Sequence, residues 1–200
     1  MRLIGLTGGI APGKTAVSHL LAARGAAIID TDLLAREVVE PGNPAYQDIV
    51  GDFGEGVLRP DGALDRAKLG AVVFADAEAR RRLNGYTHPR IRQLMMERVA
   101  ALQASATPPP AAVLVIPLLF ENGLDALVEE SWLVKVDPEV QKERLMRRDG
   151  FSPAEAEQRI ASQMPLAEKL ERATRVIDNS GDLSALDAEV DRVWQEAALG

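Results

Sequence analysis

The sequence predicts an α/β protein in three layers, with a five-stranded parallel sheet between helices. Three observations predict it. The first 32 residues read strand, glycine-rich loop, helix, strand, which is a βαβ unit and implies a right-handed parallel crossover. Three more short strand patterns, in 112–123, 131–137 and 172–181, follow among helical segments. The stretch 33–104 shows no clear strand and reads as a helical insertion.

Each element has a local reason. "RLIGLTG" alternates little and is rich in apolar residues, which suits a strand buried on both faces. "KTAVSHLLAARG" puts Val17, Leu20 and Leu21 on one helical face and stops at Gly25. "AAIIDTD" is the second strand and ends in two acids. "LLAREVVEPG" is a helix halted by Pro41 and Gly42, and "AYQDIVGDFGEGVL" mixes helix with turn. Residues 65–103 are strongly helical, with a break expected near Thr87, His88 and Pro89, because proline disfavours a helical backbone at the residue before it. Phe74, Leu83, Ile91 and Leu94 are expected in the core of this region rather than against a ligand.

"SATPPPA" is a proline-rich connector. "AVLVIPLLFENG" holds the third strand and its exit loop, and "SWLVKVD" is the fourth strand. A helix starts at Pro138, a favoured first-turn residue, and stops at Gly150. Ser152, with Glu155 three residues on, is a capping-box pattern. "RATRVIDNSG" gives the fifth strand and a turn, and the last helix carries Leu186, Val190, Val193 and Trp194 on one stripe. The whole is expected as a single domain, with a core at about 1–32, 105–140 and 170–200, the insertion at 33–104 and a helical lid at 141–169.

Composition narrows the function. The 200 residues are 46% hydrophobic, ordinary for a globular chain. The net charge of -7 argues against a general nucleic-acid binder, so an anionic ligand has to be drawn by local basic residues. With no cysteine, disulfides, thiolate catalysis and cysteine-ligated metals are excluded. With only His19 and His88, so is a multi-histidine metal site. The longest apolar run, Ala111 to Phe120, is interrupted by Pro117 and falls short of the roughly 18 residues of a membrane span. The N-terminal apolar stretch leads straight into glycines, unlike a signal peptide. The expectation is a cytoplasmic protein with neither membrane nor nucleic-acid partner, monomeric or a small homo-oligomer.

The chemistry starts at "GGIAPGKTAV", Gly8 to Val17, with the spacing G-x-x-x-x-G-K-T. Gly8 allows a tight exit from the strand, and Gly13 lets the backbone approach a phosphate closely. The loop Gly8, Gly9, Ile10, Ala11, Pro12, Gly13, Lys14, Thr15 and Ala16 then turns its amides and a helix N-terminus toward a triphosphate, which makes the fold P-loop NTPase-like. Lys14 is expected at the β- and γ-phosphates of ATP, and Thr15 at Mg²⁺. Pro12 removes one amide, those of Gly13 to Ala16 remain, and the fixed proline φ stiffens the loop. Asp30 and Asp32 end the second strand, where open α/β sheets bind ligands. Two apart on a strand, they point the same way. One would accept a proton from an attacking hydroxyl or hold Mg²⁺ through water; the alternative is a pair of solvated acids.

These blocks together, "LTGGIxxGKT", "IDTDLLAREVVEPG", "LNGYTHPRIR", "PLLFENGL" and "VIDNSG", resemble dephospho-CoA kinase over about residues 2 to 181. The resemblance implies transfer of the ATP γ-phosphate to the ribose 3′-hydroxyl of dephospho-CoA, the last step of coenzyme A synthesis. It implies Asp32 as the base, with Asp30 supporting it. It also implies His88 in the acceptor region, Pro117, Leu118 and Glu121 beside the acceptor, and Asn179 near the adenine. Where this chain has "APGK" the family more often has glycine-serine before the GK.

Some residues keep two readings. Arg36, one turn beyond Asp32, pairs with it, holds an acceptor phosphate, or is a surface arginine. His88 contacts the acceptor or merely caps and packs. Arg144, Arg147 and Arg148 share one side of a helix, where they either close over the ATP phosphates, Arg144 and Arg148 foremost, or make salt bridges with Glu139, Glu143 and Asp149. No N-K-x-D tetrapeptide of a guanine-specific switch occurs.

Overall fold

Short apolar runs become the strands of one sheet: β1 (Arg2–Gly8), β2 (Ala27–Asp30), β3 (Ala111–Val115), β4 (Glu130–Lys135) and β5 (Arg175–Asp178). The computed structural model describes the backbone of residues 1–199 and the side chains of residues 1–197. Strand order is β2-β3-β1-β4-β5. β1 pairs in parallel with β3, Ile4 opposite Val113, and with β4, Leu6 opposite Trp132; β4 pairs in parallel with β5. β1 therefore lies at the centre, buried from Leu3 to Gly8, and β3 is buried along its whole length. Burial on both faces explains why neither strand alternates.

One face of the sheet forms a core with α1 (Lys14–Ala23) and α9 (Leu183–Leu199). Ile4, Leu6, Val113, Trp132 and Val134 meet Val17 and Leu21 of α1 and Val190 and Val193 of α9. Trp132 and Trp194 pack edge to face at 6.3 Å. Three further helices belong to this sheet unit: α6 (Pro138–Asp149), α7 (Pro153–Ala161) and α8 (Leu166–Arg172). α6 opens at Pro138 under an Asp137 cap and ends at Gly150 with φ 73°, and α7 opens on the Ser152/Glu155 capping box. α8 has no counterpart in the sequence reading.

Asp30–Ala101 forms a second compact unit, distinct from the sheet unit of Met1–Ile29 and Leu102–Gly200. It contains α2 (Thr31–Glu37), α3 (Pro44–Phe53), α4 (Arg66–Ala75) and most of α5 (Ala77–Gln103). Val38, Val39, Ala45, Ile49, Val57, Leu64 and Leu69 make its core, with Leu83, Ile91 and Leu94 packed against them. Phe74 is not in that core; it is 90% exposed. Five residues past the buried Leu69, it is turned about 140° round the helix axis.

The break expected at Thr87–His88–Pro89 is also absent, since α5 runs through Pro89. Proline there leaves the carbonyl one turn back without its usual donor and crowds it. Side chains supply donors beside the gap. Thr87 Oγ1 donates to the Leu83 carbonyl at 2.9 Å, and the Arg90 guanidinium donates to the Tyr86 carbonyl at 2.7 Å. Met95 and Val99, buried beyond the proline, anchor the second half of the helix.

Candidate active site

The loop between β1 and α1 is held from every side. Gly8 is buried, and a Cβ there would lie 2.6 Å from the Val134 carbonyl oxygen and 3.0 Å from the Pro12 ring. Ala11 takes φ 56°, a left-handed conformation unusual for a residue with a side chain. Gly13 has φ 91°, and a Cβ there would fall 2.2 Å from Asn179 Nδ2. Lys14 Nζ donates to the carbonyls of Gly8 (3.2 Å) and Gly9 (3.0 Å). Gln141 of α6 donates from Nε2 to the Ile10 carbonyl at 2.8 Å. The buried Asn179 donates from Nδ2 to the Pro12 carbonyl at 2.7 Å.

The loop carbonyls are thus drawn to donors, which leaves the first-turn amides of α1 for an anion. Ala16 N–H already donates to Gly13 O at 3.0 Å, which takes it out of that set. Pro12 is buried, with its ring close to Gly8 and its carbonyl engaged, so it braces the loop where an amide is missing.

Asn179 is therefore tied to the phosphate loop. Its neighbour Asp178 anchors the strand end. Burial works to raise the Asp178 pKa, but Lys135, 2.5 Å away, and Ser180 outweigh it and hold the carboxylate below its ordinary range. Thr15 is exposed in the first turn of α1.

Asp30 and Asp32 do not share a strand face. β2 ends at Asp30, whose carboxylate accepts from Asp32 N–H at 2.8 Å and caps α2; Asp32 lies inside that helix. Serving as an N-cap explains Asp30 without a metal. Asp32 is exposed, and Arg36 follows it one turn later on the same helix, also exposed. His88 is exposed on α5. On α6, Arg144 is half-buried, while Arg148 makes a two-point contact with its neighbour Asp149 at 2.8 Å.

After β3, the Thr7 hydroxyl donates to the Pro117 carbonyl at 3.2 Å, Leu118 is 39% exposed, and Glu121 turns inward. Glu121 Oε1 lies 2.6 Å from Lys169 Nζ on α8, a lysine only 1% exposed. The contact is an ion pair out of line for a hydrogen bond, and these charged atoms are buried without other partners. Arg172 of α8 adds a 3.1 Å bond to the Phe120 carbonyl and two bonds to Asp125.

Lys169 and Gln141 were invisible in the sequence. Leu166 and Leu170, spaced as a buried helical face would be, are 37% and 38% exposed, while the lysine between them is inside. Lys169 lines a cavity of about 310 Å³ together with Gly9, Pro12, Lys135 and Gln141.

A parallel sheet whose central strand feeds a braced phosphate loop defines a P-loop phosphotransferase. The fold is shared with shikimate kinase from Acinetobacter baumannii, at TM-score 0.56 and 15% identity over 99% of this chain and 93% of that one. The model of the dephospho-CoA kinase family matches residues 2–185, and the chain belongs to that family. Dephospho-CoA kinase of Geobacter sulfurreducens is 51% identical over 97% of this chain and 98% of its own length. That of Anaeromyxobacter dehalogenans is 53% identical over 100% of this chain and 94% of its own. The structure of dephospho-CoA kinase from Campylobacter jejuni matches at TM-score 0.74 and 28% identity, covering 98% of this chain and 96% of that one.

Proposed function

We propose that this chain transfers the γ-phosphate of ATP to the ribose 3′-hydroxyl of dephospho-CoA, giving coenzyme A and ADP. The observation that carries the reading is the braced phosphate loop in a chain of the dephospho-CoA kinase family. Phosphoryl transfer asks for positioning and charge stabilisation more than covalent chemistry. The amides of Gly13, Lys14 and Thr15 hold the phosphates, and Lys14 moves from the loop carbonyls to the β- and γ-oxygens. Asp32 takes the hydroxyl proton as the ribose oxygen bonds to the γ-phosphorus and the bond to ADP breaks. Arg144 and Arg148 offset the charge on the transferred group, Arg148 exchanging Asp149 for phosphate. Arg36, His88, Pro117 and Leu118 receive the acceptor, and Glu121 shapes that region through Lys169.

Among the described residues no group of three or more His, Cys, Asp or Glu could hold a metal. The donor at the loop is a single hydroxyl, Thr15. That set fits Mg²⁺, which binds largely through substrate phosphates and its own waters. Held there by the Thr15 hydroxyl, Mg²⁺ would supply positive charge to offset the negative charge of the triphosphate. Among the described residues no helix is long and apolar enough to cross a membrane. With the acidic, cysteine-free composition, this supports a cytoplasmic enzyme acting on a small molecule.

The test offers ATP and Mg²⁺ with dephospho-CoA, AMP, shikimate or uridine, and locates the new phosphate by product mass and phosphorus NMR. A 3′-phosphate on dephospho-CoA is expected. Comparable transfer to another of these acceptors contradicts the reading.

A further inference from the structure

The helical unit contains a cavity of about 340 Å³ with three arginines on its wall: Arg36, Arg59 and Arg66. They come from three places in the chain. Arg36 lies in the last turn of α2, Arg59 in the turn 59–63, and Arg66 at the start of α4. The frame that holds them is well bonded. Arg59 N–H donates to Ala63 O at 2.8 Å, Gly62 N–H to Arg59 O at 2.9 Å, and Asp65 N–H to Val57 O at 2.8 Å. Val39 and Leu64, 7% and 8% exposed, give it a buried apolar floor.

The charges here are arranged unlike those elsewhere in the same unit. Arg82, Arg90 and Arg98 each contact an acid. The side chains of Arg36 and Arg66 have no ion pair or hydrogen bond among the described residues, and that of Arg59 is held there only by its near neighbour Asp61 at 3.1 Å. Two carboxylates share the wall, Glu40 and Asp65. Asp65 is occupied as the cap of α4, accepting from the amides of Ala67 and Lys68. In a chain of net charge -7, three arginines against two carboxylates, one of them occupied as a helix cap, leave this wall positive on balance, a local field that favours an anion. Arginine's planar fork matches phosphate oxygens two at a time.

We propose that this cavity binds the diphosphate of the acceptor, with Arg59 and Arg66 joining Arg36 as residues that select a diphosphate-bearing nucleoside. The proposal rests on the acceptor reading above. α2 supplies a ruler for it. Asp32, the proposed base for the 3′-hydroxyl, and Arg36 are one helical turn apart, about 5.4 Å along the axis. The 3′-hydroxyl and the 5′-diphosphate of one nucleoside are separated by the width of the ribose and one methylene, a span of the same order. An acceptor with its hydroxyl at Asp32 therefore brings its diphosphate toward Arg36 and the cavity beyond.

Arg66→Met and Arg36→Met test this, with dephospho-CoA and ATP titrated separately by calorimetry and steady-state KM and kcat measured alongside. Both arginines are exposed, so the melting temperature should stay at the wild-type value. Dephospho-CoA affinity should fall about ten- to a hundredfold in either variant, as for loss of a charged hydrogen bond, while ATP affinity is unchanged. Arg66→Lys should recover part of the loss, since it restores the charge without the fork. Wild-type dephospho-CoA affinity in both methionine variants overturns the proposal. An equal loss of ATP affinity overturns it too, by assigning the arginines to the donor nucleotide. If the wild type binds dephospho-CoA and makes no coenzyme A, the transfer reading fails, and the dissociation constants still decide the cavity.

Discussion

The phosphate loop of the sheet unit and the arginine-lined cavity of the helical unit treat their polar groups in opposite ways. In the sheet unit the groups around the phosphate loop are committed: Lys14, Gln141 and Asn179 occupy loop carbonyls, and Glu121 faces a buried Lys169. Gly8, Gly9 and Gly13 of that loop stand where a Cβ would come within 3 Å of a neighbour. In the helical unit, Cβ atoms added at Gly42, Gly51, Gly54, Gly56, Gly62, Gly70 and Gly85 would meet nothing within 4 Å, and the side chains of two arginines beside a cavity have no partner among the described residues. The difference matches the task. A triphosphate gripped by backbone amides needs a loop that cannot move, because amides cannot be re-aimed one by one. An acceptor gripped by long side chains needs only a scaffold that presents them.

Substitutions can break that contrast, and the largest effect is expected at the buried ion pair. Lys169→Met leaves Glu121 charged and alone, which should cost about 3–5 kcal/mol in chemical denaturation. Adding Glu121→Leu should return most of it, because a matched apolar pair needs no desolvation. A mild effect of the single variant would mean the sheet unit is less committed than its contacts imply.

Gly13→Ala comes next. Its Cβ would displace the Asn179 amide from Pro12 at a backbone φ of 91°, so ATP affinity should drop roughly a hundredfold. The matched change in the helical unit, Gly70→Ala in α4, should instead stabilise by about 0.5–1 kcal/mol, read by thermal melting. Pro12→Ser tests the brace more gently and should change ATP affinity by about tenfold or less. A thousandfold gain would show that the ring harms the loop.

The smallest effect lies at the far end of β4. Burial raises the pKa of Glu130, but hydrogen bonds from Arg175, Trp132 and Arg2 outweigh it and hold the carboxyl below its usual range. A depressed carboxyl stabilises the fold above its unfolded pKa, and that contribution is lost as pH falls through the folded one. Glu130→Gln should therefore lower stability modestly at neutral pH, where that contribution is fully present, and flatten the acid limb, the variant and the wild type converging as pH falls below the ordinary carboxylate range.

The same contrast governs what could be read in the sequence. The phosphate loop was legible because backbone constraints fix spacing: Gly8 and Gly13 are required by close approach and positive φ, and Lys14 by its reach. The strands were legible from apolar runs, and α9 from its stripe. Side-chain-driven features were not. Pro89 reads as a helix break until Thr87 and Arg90 are seen donating to carbonyls beside it. Asp30 and Asp32 read as strand neighbours until Asp30 is seen capping α2. Phe74 reads as core, and Lys169 does not stand out between its two leucines, because their environments are set by distant packing.

The most direct measurement compares Asp32→Asn with the wild type, following ATP binding by calorimetry and coenzyme A formation by mass. A loss of nearly all turnover with ATP affinity intact is the predicted result. Turnover close to the wild-type rate would contradict the assignment of Asp32 as the group that receives the ribose proton.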